Sequence, residues 1–135
     1  MIEFILSDAC NACGICVEAC PTGVFDALPG QPPTIARPGD CQTCFMCEVY
    51  CRQDAIFVGP DAERVEGFDP EITRSAGLMG EMRRHHGWDE WAAGGRYPNQ
   101  HWRMEEVFAR ARDLAAGLDP YVAECTTRES ADLAR

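Results

Sequence analysis

Two stretches decide the reading of this chain: Cys10-Asn11-Ala12-Cys13-Gly14-Ile15-Cys16-Val17-Glu18-Ala19-Cys20-Pro21 and Cys41-Gln42-Thr43-Cys44-Phe45-Met46-Cys47-Glu48-Val49-Tyr50-Cys51-Arg52. Both follow the spacing C-x2-C-x2-C-x3-C, and each cysteine of the first recurs in the second at an offset of 31. Asp8–Ala9–Cys10 is matched by Gly39–Asp40–Cys41, Phe4 falls on Ile35, and Phe25 falls on Ile56. A unit this short buries no core alone, so the two copies must pack together. Each copy reads as a short strand, a metal-binding loop and a short helix. The strands are expected at Ile2–Leu6 and Ile56–Val58, and the helices after Cys13 and Cys44. Leu28-Pro29-Gly30-Gln31-Pro32-Pro33 reads as a turn-rich link between the copies.

Outside these runs the composition excludes several functions. The 135 residues carry 22 acids against 12 basic side chains, all of them Arg, for a formal charge of −10. Such a chain lacks the basic face that nucleic acid or an anionic membrane surface needs. Without Lys there is no Schiff-base or phosphate-loop Lys chemistry. No apolar run approaches the roughly 20 residues of a membrane span. The first residues, Met1-Ile2-Glu3-Phe4, lack the basic start of a signal peptide. A reducing, cytoplasmic setting is the expectation, and there clustered thiols bind metal instead of pairing as disulfides.

The character changes after Gly59–Pro60, which divides the chain into residues 1–59 and 60–135. The second part holds one cysteine, Cys125, all three Trp and ten of the twelve Arg. Asp69-Pro70-Glu71 predicts a helix start, with Ile72, Ala76, Met79 and Met82 along one face and Gly77 and Gly80 against it. Residues 87–102 read as irregular. Met104, Val107, Phe108, Ala111, Leu114, Ala115 and Leu118 then predict an amphipathic helix, with Glu106 and Arg110 as an i,i+4 pair and Gly117 and Pro120 as its stop. The whole is expected to be an α+β domain with a mostly helical extension.

Eight cysteines could make two zinc sites, but structural zinc knuckles separate their CxxC pairs by longer stretches. The two runs resemble the signature of bacterial two-cluster ferredoxins, over about residues 1–59. That resemblance implies a pseudo-twofold ferredoxin-like fold with two [4Fe-4S] clusters. It implies crossed ligation, with Cys10, Cys13, Cys16 and Cys51 on the first cluster and Cys41, Cys44, Cys47 and Cys20 on the second. The second run departs from the first at Phe45 for Gly14 and Arg52 for Pro21. Phe45 is expected to cover the second cluster. Arg52 brings a backbone N–H and a positive charge beside a ligand of the first, which would raise its potential. The alternative is that Arg52 points to solvent or to a partner. His85, His86 and His101 read as surface or packing residues and Cys125 as a small apolar side chain.

A minimal two-cluster domain ends near residue 59, so the extension needs a reason. It is either a helical cap over the clusters or a docking arm. Trp88, Trp91, Tyr97 and Trp102 among glycines and polar residues, with abundant Arg, favour docking together with the tail helix. The layout is similar to that of the adenylylsulfate reductase beta subunit. That similarity implies an electron-transfer subunit with no catalytic residue of its own, serving a flavoprotein partner that carries FAD. The alternatives are a free, diffusible ferredoxin and, from another class, a zinc-stabilised interaction module.

Overall fold

The computed structural model describes residues 1–65, 67–85 and 103–117. It is an α+β fold of two small antiparallel sheets and short helices. Strand β1 (Ile2–Ile5) pairs with β4 (Ile56–Val58), and β2 (Phe25–Leu28) pairs with β3 (Gln31–Ile35). Helices α1 (Ile15–Ala19) and α2 (Met46–Tyr50) stand at the offset of 31 and pack on each other. In the β1–β4 pair Ile2 lies opposite Val58, Phe4 opposite Phe57 and Ile5 opposite Ile56, with an irregularity between Ile2 and Phe4.

The link between the copies is more ordered than its composition suggests. Pro29 and Gly30 form a two-residue turn, Leu28 faces Gln31, and Pro32 and Pro33 lie within β3. Gly30 takes φ +69°, which suits the second central position after Pro29. Consecutive strand residues direct their N–H groups to opposite sides, so one missing proline donor faces the open edge, and the register is irregular between Asp26 and Leu28, opposite the prolines.

All three residues of β4 are buried, which no two-stranded sheet achieves by itself. Ile56 and Val58 join a core with Ile2, Val24, Phe25 and Val49, while Phe57 joins a second with Leu6, Leu78, Met79, Ala111 and Leu114. The second core exists because the extension packs on the outer face of the sheet. Alternate side chains of a strand point to opposite faces, so a strand covered on both sides buries all of them.

The extension begins with α3 (Pro70–Ser75). Asp69 caps it, its Oδ1 accepting the Ile72 N–H at 3.0 Å. The single periodic face expected from Ile72 to Met82 is split, because Gly77 and Gly80 take φ +77° and +67° and end one helix before α4 (Glu81–His85) begins. Helix α5 (Met104–Ala115) then lies with Val107, Ala111 and Leu114 buried, and Gly117 at φ +71° follows it. The Glu106–Arg110 pair does not form. Glu106 accepts from Arg103 at 2.6 Å, and Arg110 instead reaches the buried Glu81 of α4. A buried carboxylate gains more from a cation than an exposed one does, so the longer reach wins.

Further pairs tie the extension down. Arg74 grips Asp8 with two hydrogen bonds, at 2.6 and 2.9 Å, beside the first cysteine loop. Arg83 and Arg84 meet Asp54 just after the last cysteine of the second run. No helix among the described residues is long and apolar enough to cross a membrane.

Candidate metal centre

Each cysteine loop is shaped by left-handed backbone at matching positions. Ala12 and Gly14 have φ +59° and +76°, and Thr43 and Phe45, 31 residues on, have +52° and +61°. Gly adopts this region freely, but each non-Gly residue there carries about 1–2 kcal/mol of strain. The reversal turns backbone N–H groups inward. The Ala12 N–H donates to Cys10 Sγ and the Thr43 N–H to Cys41 Sγ, both at 3.4 Å. The turn after each helix repeats the device at Gly23 (φ +67°) and Asp54 (φ +50°). There the Val24 N–H donates to Cys20 Sγ and the Ala55 N–H to Cys51 Sγ, again at 3.4 Å. The Ile2 N–H adds a bond to Cys41 Sγ at 3.3 Å.

The chain path brings the thiols together across the repeats. Helix α1 carries Cys20 away from its own loop, and α2 does the same for Cys51. One hollow is lined by Cys10, Cys13, Cys16 and Cys51, and the other by Cys41, Cys44, Cys47 and Cys20. None of the eight forms a disulfide, and in each loop the middle cysteine is exposed and the third buried. Among the described residues no group of three or more His, Cys, Asp or Glu closes tightly enough on one point to hold a single metal ion. The thiols ring a space instead.

The walls of the two hollows differ. The first is bounded by Ile5, Gly14, Ile15, Pro33 and Ile56, the second by Ile2, Val24, Phe25, Phe45 and Val58. Burial pushes the Cys16 thiol up to about 11, and it pushes Cys47 up further, with Glu48 adding to the rise. Burial opposes ionisation at Cys20 as well, but the N–H groups of Val24, Thr22 and Gly23 and the Thr22 hydroxyl outweigh it and leave that thiol lowered. The neighbours of each thiol thus differ in how far they favour a thiolate, the form that binds metal.

A four-iron cube takes one thiolate per iron and is tuned by hydrogen bonds to its sulfurs. Four thiols around each hollow, with backbone N–H groups aimed at four of the eight sulfurs, match that donor set. The comparisons point to 4Fe-4S binding. A sequence family described as a 4Fe-4S binding domain matches residues 4–26. An uncharacterized ferredoxin of Methanocaldococcus jannaschii is 41% identical over 49 residues, spanning 36% of this chain and 77% of that protein. The chain belongs to the ferredoxin family. No solved structure matches it. Its ferredoxin-type domain is an iron–sulfur, electron-transferring one, and the family match over residues 4–26 indicates 4Fe-4S cluster binding.

Two residues of this ferredoxin domain have roles that its cysteine pattern conceals. Glu48, beside Cys47, is 2% exposed, and its Oε2 accepts the Val58 N–H at 3.2 Å. Burial pushes its carboxyl up to about 8. Asp54 holds two arginines of α4 from the left-handed position that Gly23 occupies in the first copy. Their signal in the sequence was a charged residue where the other copy has Val17 or Gly23. Phe45 is buried against the second hollow, and Arg52 is exposed. Trp88, Trp91, Tyr97, Trp102, His86, His101 and Cys125 lie outside the described residues, and His85 closes α4.

Proposed function

We propose that this ferredoxin is a two-centre electron carrier, with Cys10, Cys13, Cys16 and Cys51 holding one [4Fe-4S] cluster and Cys41, Cys44, Cys47 and Cys20 a second. The observation that carries the reading is the exchange of fourth thiols, in which Cys51 lines the first hollow and Cys20 the second. A cluster bound in each hollow supplies a centre that takes up and returns one electron. The chain's own part is to present the thiolates, to aim the Ala12, Val24, Thr43 and Ala55 N–H groups at them, and to exclude water with apolar walls. Those N–H dipoles favour negative charge on the sulfurs. Iron analysis of anaerobically loaded protein tests this. About eight irons per chain are expected, falling by about half in Cys20→Ser and in Cys51→Ser. A single cluster in the unaltered chain refutes the two-centre reading, and a colourless protein with two zinc ions refutes iron–sulfur chemistry at the sites altogether.

The packing of α5 supports a freely diffusing carrier. Its apolar face is used on the chain's own core and is not free to wrap a larger subunit. The net charge of −10 suits steering toward basic patches on redox partners. A second reading keeps both sites and makes the chain the iron–sulfur subunit of a flavoprotein oxidoreductase of the adenylylsulfate or fumarate reductase type, with FAD on the partner. The sequence feature behind it is the cluster Trp88, Trp91, Tyr97 and Trp102. The native size of the protein in its own host separates the two. A monomer supports the carrier, and co-purification with a flavoprotein supports the subunit.

A further inference from the structure

The two copies agree at every cysteine and differ where the second meets the extension. Gly14, Val17 and Glu18 of the first copy stand where the second has Phe45, Glu48 and Val49. The outer side of α1 is bare: Ile15 is 40% exposed and Glu18 is exposed. At Gly14 an added Cβ would meet nothing within 4 Å, and an open depression runs from there past Val17 to Leu28 and Pro33. The same side of α2 is covered. Val49 packs in one core with Met82 of α4 and Val107 of α5, and Glu48 is buried beside them. Phe45 is 8% exposed, lines the second hollow, and stacks on Phe108 of α5 with ring centroids 5.5 Å apart and planes 19° apart.

We propose that α5 is a lid on the second site, Phe108 pressing Phe45 over the cysteine hollow, so that this site gains a shield from water on the helix side, where Gly14 gives the first copy no side chain in that place. The proposal rests on both hollows holding clusters. Cys13 and Cys44 are both exposed, so the two sites are alike at the middle cysteine of each loop. The lid accounts for an aromatic residue, Phe45, held at φ +61° in a position that the first copy gives to glycine. A left-handed backbone disfavours a side chain there, and the stack on Phe108 compensates. Shielding has a direct electrical consequence. Removing water disfavours the more negative, reduced state of a thiolate-bound centre, which places the second site at the lower potential.

The test is iron release to a chelator from the fully loaded, full-length protein, followed by its visible absorbance, with a redox titration of the same samples. Release is expected in two phases, the slower assigned to the second site by its loss in Cys44→Ser. Phe108→Ala opens the lid and is expected to speed the slow phase about tenfold, equivalent to about 1.4 kcal/mol of opening free energy. The fast phase should stay within about twofold, well under 1 kcal/mol. The lower midpoint should rise while the other holds. Because Phe108→Ala could dislodge α5 altogether, Phe45→Gly is the second variant. It removes the ring, keeps a backbone that glycine prefers, and is expected to act on the same phase. A single phase in the unaltered protein, equal acceleration of both phases, or no change in either variant overturns the lid. Iron for one cluster only overturns the two-centre reading instead.

Discussion

Gly80 is the point where the joint between ferredoxin domain and extension can be tested most sharply. It sits at φ +67° between α3 and α4, and a Cβ built on it would lie 2.0 Å from Asp54 Oδ1 and 2.2 Å from Asp54 Cγ. In Gly80→Ala the carboxylate must retreat until those contacts reach at least 3.4 Å. Asp54 then loses Arg83, which donates from Nε at 3.1 Å and from its terminal nitrogen at 3.2 Å. Breaking charge-assisted bonds at such a partly buried site costs about 1.5–3 kcal/mol. The left-handed backbone adds about 1–2 kcal/mol for any L side chain. The expected loss is therefore about 2.5–5 kcal/mol. Gly77→Ala is the control: its φ is +77° but nothing lies within 4 Å, so only the backbone part applies. The assay is urea unfolding of the iron-loaded protein. Trp88, Trp91 and Trp102 all lie in the extension, so fluorescence follows it while visible absorbance follows the cluster domain. In an Asp54→Gly background the collision is gone, and Gly80→Ala should cost no more than Gly77→Ala. An equal cost for the two alanine variants in the unaltered chain, or an undiminished Gly80→Ala cost in the Asp54→Gly background, would refute the reasoning.

Other outcomes follow from the same geometry. Four non-glycine residues, Ala12, Thr43, Phe45 and Asp54, hold positive φ around the hollows, a strain of about 4–8 kcal/mol in all that approaches the whole stability of a small domain. Stripping iron with a chelator should therefore unfold residues 1–59, seen as loss of strand signal in circular dichroism, and retention of the native spectrum would count against metal-coupled folding. Arg52→Pro removes an exposed cation and a backbone N–H beside Cys51, and should lower the midpoint of the first site alone; an unchanged midpoint would show that Arg52 serves solvent or a partner. Glu3 is buried, accepts the Val65 N–H at 3.1 Å, and has its carboxyl held above the ordinary 4.5 chiefly by burial, against the Val65 bond and the charge of Arg64. The folded state then binds a proton that the unfolded state has lost, so this contribution is full below 4.5 and fades as pH rises through the raised value. Unfolding midpoints of Glu3→Gln should lack that decline, and parallel pH profiles for the two proteins would remove Glu3 as its source.

The sequence by itself determined the chemistry. Eight cysteines at a fixed spacing, repeated at an offset of 31, name their own ligand class, because loop reach and thiol count are local properties of the chain. It also determined the short helices after each loop, the Asp69 cap and the buried face of α5, since capping and period are local too. Tertiary structure decided the rest. Pro32 and Pro33 read as a link until the turn at Pro29 and Gly30 folded them back as a strand against β2, with the register irregular beside them. Arg110 left its helical neighbour Glu106 for the buried Glu81, a partner 29 residues away that no periodicity announces. The cover over the second hollow likewise needed Phe45 and Phe108 to meet across 63 residues of sequence. Spacing can state which side chains are the candidate metal ligands. Which of two equivalent sites is shielded depends on where a later helix comes to rest, and burial of that helix is settled only by the whole fold.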